Sequence, residues 1–156
     1  MIDFEKGSEI EMLFKSEDAS LELRVVNYEF PAGGGDPDSD DRNWLVLRCT
    51  WINEEGAIVK DSNSCLLTYE LRELAAGLKV LNAGIKDSYA SDFVDPYFEV
   101  AAQTEGEDFR VDVSFYLPNT MDGDDTAEIE TVMSREELDA WIEELDGLCA
   151  RFPDRT

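Results

Sequence analysis

Two loops rich in aspartate hold the residues whose type and spacing could do chemistry. In the first, PAGGGDPDSDDR over residues 31–42, aspartates recur at alternate positions, as calcium ligands do in turn-rich loops. An EF-hand loop also needs glycine at its sixth position and glutamate at its twelfth, and this chain has Asp41 and Leu47 there. The EF-hand motif is therefore absent, which favours a solvated, exposed acidic loop over a loosely built calcium site. The aspartates of this loop are Asp36, Asp38, Asp40 and Asp41.

The second loop places Asp122, Asp124 and Asp125 around Gly123. Together the two loops are the densest groups of like charge in the chain, and such repulsion weakens an isolated fold unless a cationic partner relieves it. We therefore expect both loops to form or border a partner-binding surface. The alternative is that they are merely solvated.

The charge balance of the whole chain bounds its partners. The 156 residues include 37 acidic and 13 basic ones, for a formal net charge of −24. Such a surface repels nucleic acid and anionic membranes, so we predict that the protein binds neither. It attracts a basic protein, although solubility alone also accounts for an acidic surface.

Several kinds of catalytic and metal site are excluded by composition. The chain has no histidine, which removes the usual general base, the commonest metal ligand and Ser-His or Cys-His nucleophiles. Its three cysteines, at positions 49, 65 and 149, have no metal-site spacing, and their odd number argues against a disulfide framework. We predict no cofactor. The acidic amino terminus does not resemble a signal peptide, and no apolar stretch is long enough to span a bilayer, which predicts a cytoplasmic protein.

The predicted fold is organised around residues 43–81. NWLVLRCTWI is apolar on both faces, as in a central strand, and the following TYELRELAAGLKVL has apolar residues at helical spacing with Thr68 as the expected N-cap. Ser134 and Glu137 form a capping box before a second helix, on which Trp141 is expected to be a core residue. The remaining segments alternate as strands, whereas residues 82–95 look irregular. The prediction is one α+β domain over residues 1–156, in the order ββββ–α–βββ–α, with a mainly antiparallel β-sheet of about seven strands and two α-helices.

Several stretches taken together resemble the WapI-type immunity proteins. They are SEDASLELRVVNYEFP, NWLVLRCTW and SCLLTYELRELAAGL, with a terminal helix that ends in ARFP, and the resemblance runs from about Phe14 to Pro153. Members of that family are small cytoplasmic bacterial proteins that bind and block the carboxyl-terminal domain of WapA-like contact-dependent toxins, many of which are nucleases. The resemblance implies a toxin-neutralising protein without enzymatic activity. Because the shared residues are fold residues, it assigns no binding residue.

Three functions fit these observations. An immunity protein explains the acidic surface, because a nuclease toxin must be basic to hold nucleic acid and an anionic inhibitor is drawn to it. A non-catalytic interaction or scaffold protein would have the same fold and charge. A carboxylate-dependent hydrolase is the third, since pairs of acids alone hydrolyse glycosides. We predict a stoichiometric, non-enzymatic inhibitor whose partner is a basic cognate toxin domain; its oligomeric state does not follow from the sequence.

Overall fold

A computed structural model describes residues 11–31, 33–36, 40–117 and 125–155 of the chain. These residues form two four-stranded antiparallel sheets, with the strand orders β1-β2-β3-β4 and β5-β6-β7-β8, and each sheet is followed in the chain by an α-helix. The first sheet comprises β1 (Glu11–Lys15), β2 (Ser20–Tyr28), β3 (Trp44–Ile52) and β4 (Ile58–Leu67), and it leads into α1 (Thr68–Asn82). The second comprises β5 (Ser88–Ala90), β6 (Phe98–Glu105), β7 (Asp108–Leu117) and β8 (Asp125–Met133), and it leads into α2 (Arg135–Arg151).

Alternation of apolar and polar residues gives each sheet one buried and one exposed face. On β7, for example, Phe109, Val111 and Val113 are buried while Asp112 between them is exposed. The buried faces pack with the apolar stripes of the two helices into one core. Trp141 of α2 is in that core, 4% exposed, with its ring edge-on to Phe14 at a centroid distance of 5.0 Å. The fold therefore leaves the outer face of each sheet to solvent.

The predicted α+β class, the two helices and the antiparallel pairing are confirmed. The described strands number eight rather than about seven, because residues 82–95 contribute the short strand β5, which pairs with β6. They form two sheets rather than the single sheet predicted. The NWLVLRCTWI segment is central as expected: β3 pairs with β2 on one side and β4 on the other. The extent of the single domain over residues 1–156 stays a prediction.

The prediction that Thr68 is an N-cap is wrong. Helix α1 begins at Thr68, and the backbone N–H of Leu67 is satisfied by the side chain of Glu70 at 3.0 Å. The Thr68 hydroxyl donates instead to the carboxylate of Asp154, at 2.7 Å, which anchors the residues after α2. The Ser134–Glu137 capping box is confirmed at the start of α2. No helix within the described residues is long and apolar enough to cross a membrane.

Candidate functional site

The first aspartate loop is braced by one of its own carboxylates. Asp41 is half-buried, and its Oδ2 accepts a hydrogen bond from the backbone N–H of Asp36 at 3.1 Å, whereas the side chain of Asp36 is exposed. The backbone of Asp40 begins a short 3₁₀ helix, and Asp38 lies outside the described residues. The structure thus brings Asp36 and Asp41 together, with Asp41 holding the loop's shape.

Both ends of this loop are tied to the residues after α2. The Arg155 guanidinium donates to the carbonyl oxygen of Phe30 at 3.0 Å and lies over the ring of Tyr28, 3.4 Å from its centroid. The side chain of Asn43 accepts from the backbone N–H of Arg155 at 2.7 Å and donates to its carbonyl oxygen at 3.2 Å. A cation therefore lies at the base of the acidic loop, where it offsets part of the loop's charge.

The second aspartate loop falls largely outside the described residues. Asp122 and Asp124 are among the residues that the structure does not describe, and Asp125 is the first residue of β8, opposite Leu117 of β7. The proposed role of all seven aspartates in partner binding stays a prediction.

The outer face of the second sheet carries a set of acids that the sequence does not single out. Glu99, Asp112, Glu128 and Glu130 are exposed and belong to three neighbouring strands. Asp112 stands directly opposite Glu130, and like charges so placed destabilise a sheet. Arg110 offsets part of this repulsion, since its Nε lies 3.2 Å from a Glu130 carboxylate oxygen. Each acid is visible in the sequence as an outward residue, but their convergence depends on the register between strands.

This acidic face is concave. Small residues between the carboxylates leave an open depression of about 520 Å³ on the sheet. Two further depressions, of about 400 and 440 Å³, continue from it where β8 faces the β1–β2 and β3–β4 turns. Those turns add four exposed acids at their tips. We call the three depressions and the two turns the acidic groove; its acids are Glu17, Asp18, Glu54, Glu55, Glu99, Asp112, Glu128 and Glu130.

The two turns are held in shape by their own side chains. The Asn53 carboxamide oxygen accepts hydrogen bonds from the backbone N–H groups of Glu55, at 3.0 Å, and Ala57, at 2.9 Å. Gly56 completes this turn with a φ of +83°, a conformation that glycine adopts without strain. In the other turn the Ser16 hydroxyl accepts from the backbone N–H of Ala19 at 3.1 Å. The acids at both tips are therefore presented from ordered backbone.

The groove suits electrostatic binding better than acid–base catalysis. Its carboxylates are exposed to water, whereas a carboxyl general acid near neutral pH needs an apolar surrounding that raises its pKa. Trp51 lines the 400 Å³ depression beside Glu54, Glu55, Glu128 and Glu130, and an aromatic next to carboxylates is a feature of sugar-cleaving sites. In the part of the chain that the structure describes, no group of three or more Cys, Asp or Glu side chains is arranged to hold a metal ion.

Comparison with known proteins supplies the family. The chain matches the Immunity protein WapI-like family over residues 12–153. Its fold is similar to the crystal structure of WHY1 from Arabidopsis thaliana, with a TM-score of 0.50, 14% identity, and coverage of 92% of this chain and 90% of that one. WHY3 from the same plant gives a TM-score of 0.47 and 12% identity, over 92% of this chain and 88% of that one. At these identities the likeness to WHY1 concerns the fold alone. No curated protein sequence gives a significant match.

Proposed function

Because the chain belongs to the WapI-like immunity protein family, we propose that it binds the toxic domain of a cognate bacterial toxin in the cytoplasm and neutralises it stoichiometrically. The family match, which spans residues 12–153, is the observation that carries this function. The proposal includes a contact-dependent toxin system, as is typical of the proteins that this chain resembles.

The charge of the chain supports a basic toxin, most simply a nuclease. A nuclease domain must hold a polyanion and therefore presents Lys and Arg at its surface. An inhibitor with a net charge of −24 meets such a domain with complementary potential, which speeds association and disfavours other acidic partners. The same charge repels nucleic acid, so the inhibitor does not compete for the toxin's substrate.

The acidic groove is the surface that we propose for the first contact with the toxin. Eight acids line it, against Lys15 and Arg110 as the neighbouring cations, and its two turns are ordered before binding. The second aspartate loop joins β7 to β8, two strands of the groove floor, so we propose that it borders the groove. The first aspartate loop lies at the other end of the nine-residue strand β2, about 27 Å from the groove, so we treat it as a separate candidate contact.

The proposed mechanism is occlusion without turnover. The chain has no histidine and its groove has no buried acid–base pair, so binding rather than chemistry would silence the toxin. An acidic surface laid over or beside a basic active-site cleft blocks access of the nucleic acid.

A titration tests the function. The carboxyl-terminal domain of the cognate toxin, which we expect to be encoded next to this protein, is incubated with increasing amounts of it, well above the dissociation constant, and residual nuclease activity is measured. We expect inhibition to be complete at one immunity protein per toxin. Complete inactivation far below one equivalent would indicate catalysis, and the absence of both inhibition and binding would indicate another kind of interaction protein.

The second candidate function is a carboxylate-dependent glycoside hydrolase, because Trp51 lies beside carboxylates in the depression of about 400 Å³. If the protein were such a hydrolase, it would slowly cleave a chromogenic glycoside, and changing Glu128 or Glu130 to glutamine would abolish the cleavage. We expect instead no hydrolysis above that of buffer, because the carboxylates are exposed. Cleavage abolished by Glu130→Gln would reverse the order of the two candidates.

A further inference from the structure

Exposed apolar residues gather on the outer face of the first sheet. Leu13, Ile52 and Ile58 are 50%, 36% and 63% exposed. Ile52 of β3 and Ile58 of β4 stand directly opposite each other in the sheet, in the last paired row before the β3–β4 turn. Two large β-branched side chains thus form one solvent-facing apolar pair, which the fold itself does not require.

This apolar pair adjoins the acidic groove. Trp51, the neighbour of Ile52 in the strand, points to the opposite face and lines the groove. The β3–β4 turn carries the exposed acids Glu54 and Glu55 between the two surfaces. A partner that settles over this turn therefore meets the groove on one side of it and the apolar pair on the other.

Beyond the apolar pair, the outer face of the first sheet carries exposed cations that disfavour contact with a basic partner. Lys60 is exposed in the next row on this face, and Arg48 is exposed in the row after it. These cations repel the partner that the acidic turn attracts. The charges thus direct a basic partner to the turn end of the sheet, where Ile52 and Ile58 lie.

Physical properties of the pair suit it to anchoring. Charged rims mainly set association rates, whereas desolvated apolar side chains near the centre of an interface slow dissociation. Isoleucine has restricted χ1 freedom, so little rotamer entropy is lost on contact. The hydrogen bonds from Asn53 hold the adjoining turn in place before binding, which lowers the ordering cost further.

We propose that Ile52 and Ile58 form the apolar anchor of the toxin interface, contacted by a toxin surface in which basic residues flank an apolar side chain. The proposal rests on the proposed function, because it takes a basic toxin as the occupant. Charge complementarity with the turn acids and continuity with the groove identify that occupant.

The test uses dissociation kinetics with matched surface variants. The pair is changed to Ile52→Ser/Ile58→Ser, and Ile85→Ser, at a 74% exposed isoleucine in the loop after α1, is the control for loss of an exposed isoleucine. Leu13→Ser controls for the same sheet face. Binding to the immobilised cognate toxin domain is followed by surface plasmon resonance, after circular dichroism and thermal melting have shown that each variant is folded. We expect the dissociation rate of the double variant to rise about tenfold or more, with its association rate within about twofold and both controls like the native protein.

The outcomes separate this inference from the function on which it rests. Failure of the native protein to bind or inhibit the toxin would contradict the proposed function. A native protein that binds, together with a double variant of unchanged dissociation rate, would overturn the anchor and leave the function standing. The remaining control is light scattering of the protein without toxin. If the native protein were a dimer and the double variant a monomer, a second copy rather than toxin would cover the pair.

Discussion

The carboxylate of Glu70, in the first turn of α1, accepts a hydrogen bond from the backbone N–H of Val94 at 2.7 Å. Its other oxygen accepts from the backbone N–H of Leu67, and the residue is only 2% exposed. One side chain therefore accepts hydrogen bonds from the start of α1 and from the loop between β5 and β6 of the second sheet. Burial raises the pKa of Glu70, and the two hydrogen bonds oppose that rise in part.

Replacing Glu70 with glutamine should destabilise the fold even though it removes a buried charge. Glutamine has a single acceptor oxygen, so one of the two backbone N–H groups loses its acceptor and faces an amide NH₂ instead. We expect the free energy of unfolding in urea at pH 7 to fall by about 1–3 kcal/mol. Glu73→Gln, at an exposed position on the same helix, is the control and should change it by less than about 0.5 kcal/mol.

The pH dependence of unfolding, compared between the native protein and Glu70→Gln, tests the direction of the pKa shift of Glu70. Because its pKa in the folded state lies above the ordinary value of 4.5, the folded protein binds this proton more tightly than the unfolded chain. Its contribution to stability is fully present below pH 4.5 and is lost as pH rises through the folded pKa. The stability difference between the native protein and Glu70→Gln should therefore widen as pH falls from 7 toward 4.5. A difference that narrows would show that hydrogen bonding outweighs burial. Asp95, whose pKa burial also raises, is present in both proteins.

Because Gly77 of α1 has no side chain, the ring of Tyr89 packs directly against it. A Cβ at this position would lie 2.2 Å from Cε1 of that ring, far inside contact distance. We expect the clash in Gly77→Ala to cost about 1–3 kcal/mol. Alanine favours a helix interior over glycine by up to about 1 kcal/mol, so the net effect should still be destabilising. Thermal unfolding of a double-mutant cycle with Tyr89→Ala checks the cause. If the substitution costs as much without the ring as with it, the clash is not the reason.

Local pattern and tertiary arrangement explain which features the sequence could predict. Both helices and most of the long strands follow from periodicity, because each buries one face. Strand β4 is longer than the brief return expected over residues 57–60, because the polar run DSNS in its middle has no apolar alternation. Strand β5 has only three residues, too few for a periodic signal; its pairing with β6 and the contact of Tyr89 with Gly77 define it. The acids of the groove could each be recognised as outward-facing. Their convergence needed the register of three strands and the approach of two distant turns to β8, neither of which leaves a local signal.

Salt should stabilise this protein. With a net charge of −24, screening removes more repulsion than attraction, so the urea midpoint at pH 7 should rise as sodium chloride increases toward physiological ionic strength. Asp112→Asn removes one partner of the Asp112–Glu130 pair and should itself stabilise by about 0.2–1 kcal/mol in low salt, with a smaller effect in high salt. A midpoint that falls with added salt would mean that attractive pairs outweigh the excess charge.

The two aspartate loops can be tested by neutralisation with asparagine. Asparagine keeps a carbonyl acceptor, so the bond that Asp41 receives from the Asp36 backbone can persist. If the loops border the toxin surface, neutralising them should slow association at low ionic strength. The control changes exposed acids elsewhere, Glu73, Asp92 and Glu143, to their amides. If the association rate falls no more per charge removed than in the control variant, the loops are not part of the interface.

Neutralising the floor of the acidic groove should change how fast the toxin is captured more than how long it is held. The variant carries Glu99→Gln, Asp112→Asn, Glu128→Gln and Glu130→Gln. We expect its association rate with the toxin domain to fall about tenfold at low salt and its dissociation rate to change less, because long-range attraction acts before contact.

Ionic strength separates the groove from the total charge of the chain. At 0.1 M salt the Debye length is about 10 Å, so distant charges are screened while those that face the partner still act. Changing Glu130 also removes one of the two acids paired with Arg110, whose Nε lies 3.2 Å from Glu130 and whose other partner, Glu105, remains, so the face becomes less negative. For each charge removed, the groove variant should therefore lose more association rate than the control at Glu73, Asp92 and Glu143, and its rate should depend less steeply on salt. Equal losses per charge removed would show that total charge steers the toxin, and the groove would then have no special part in its capture.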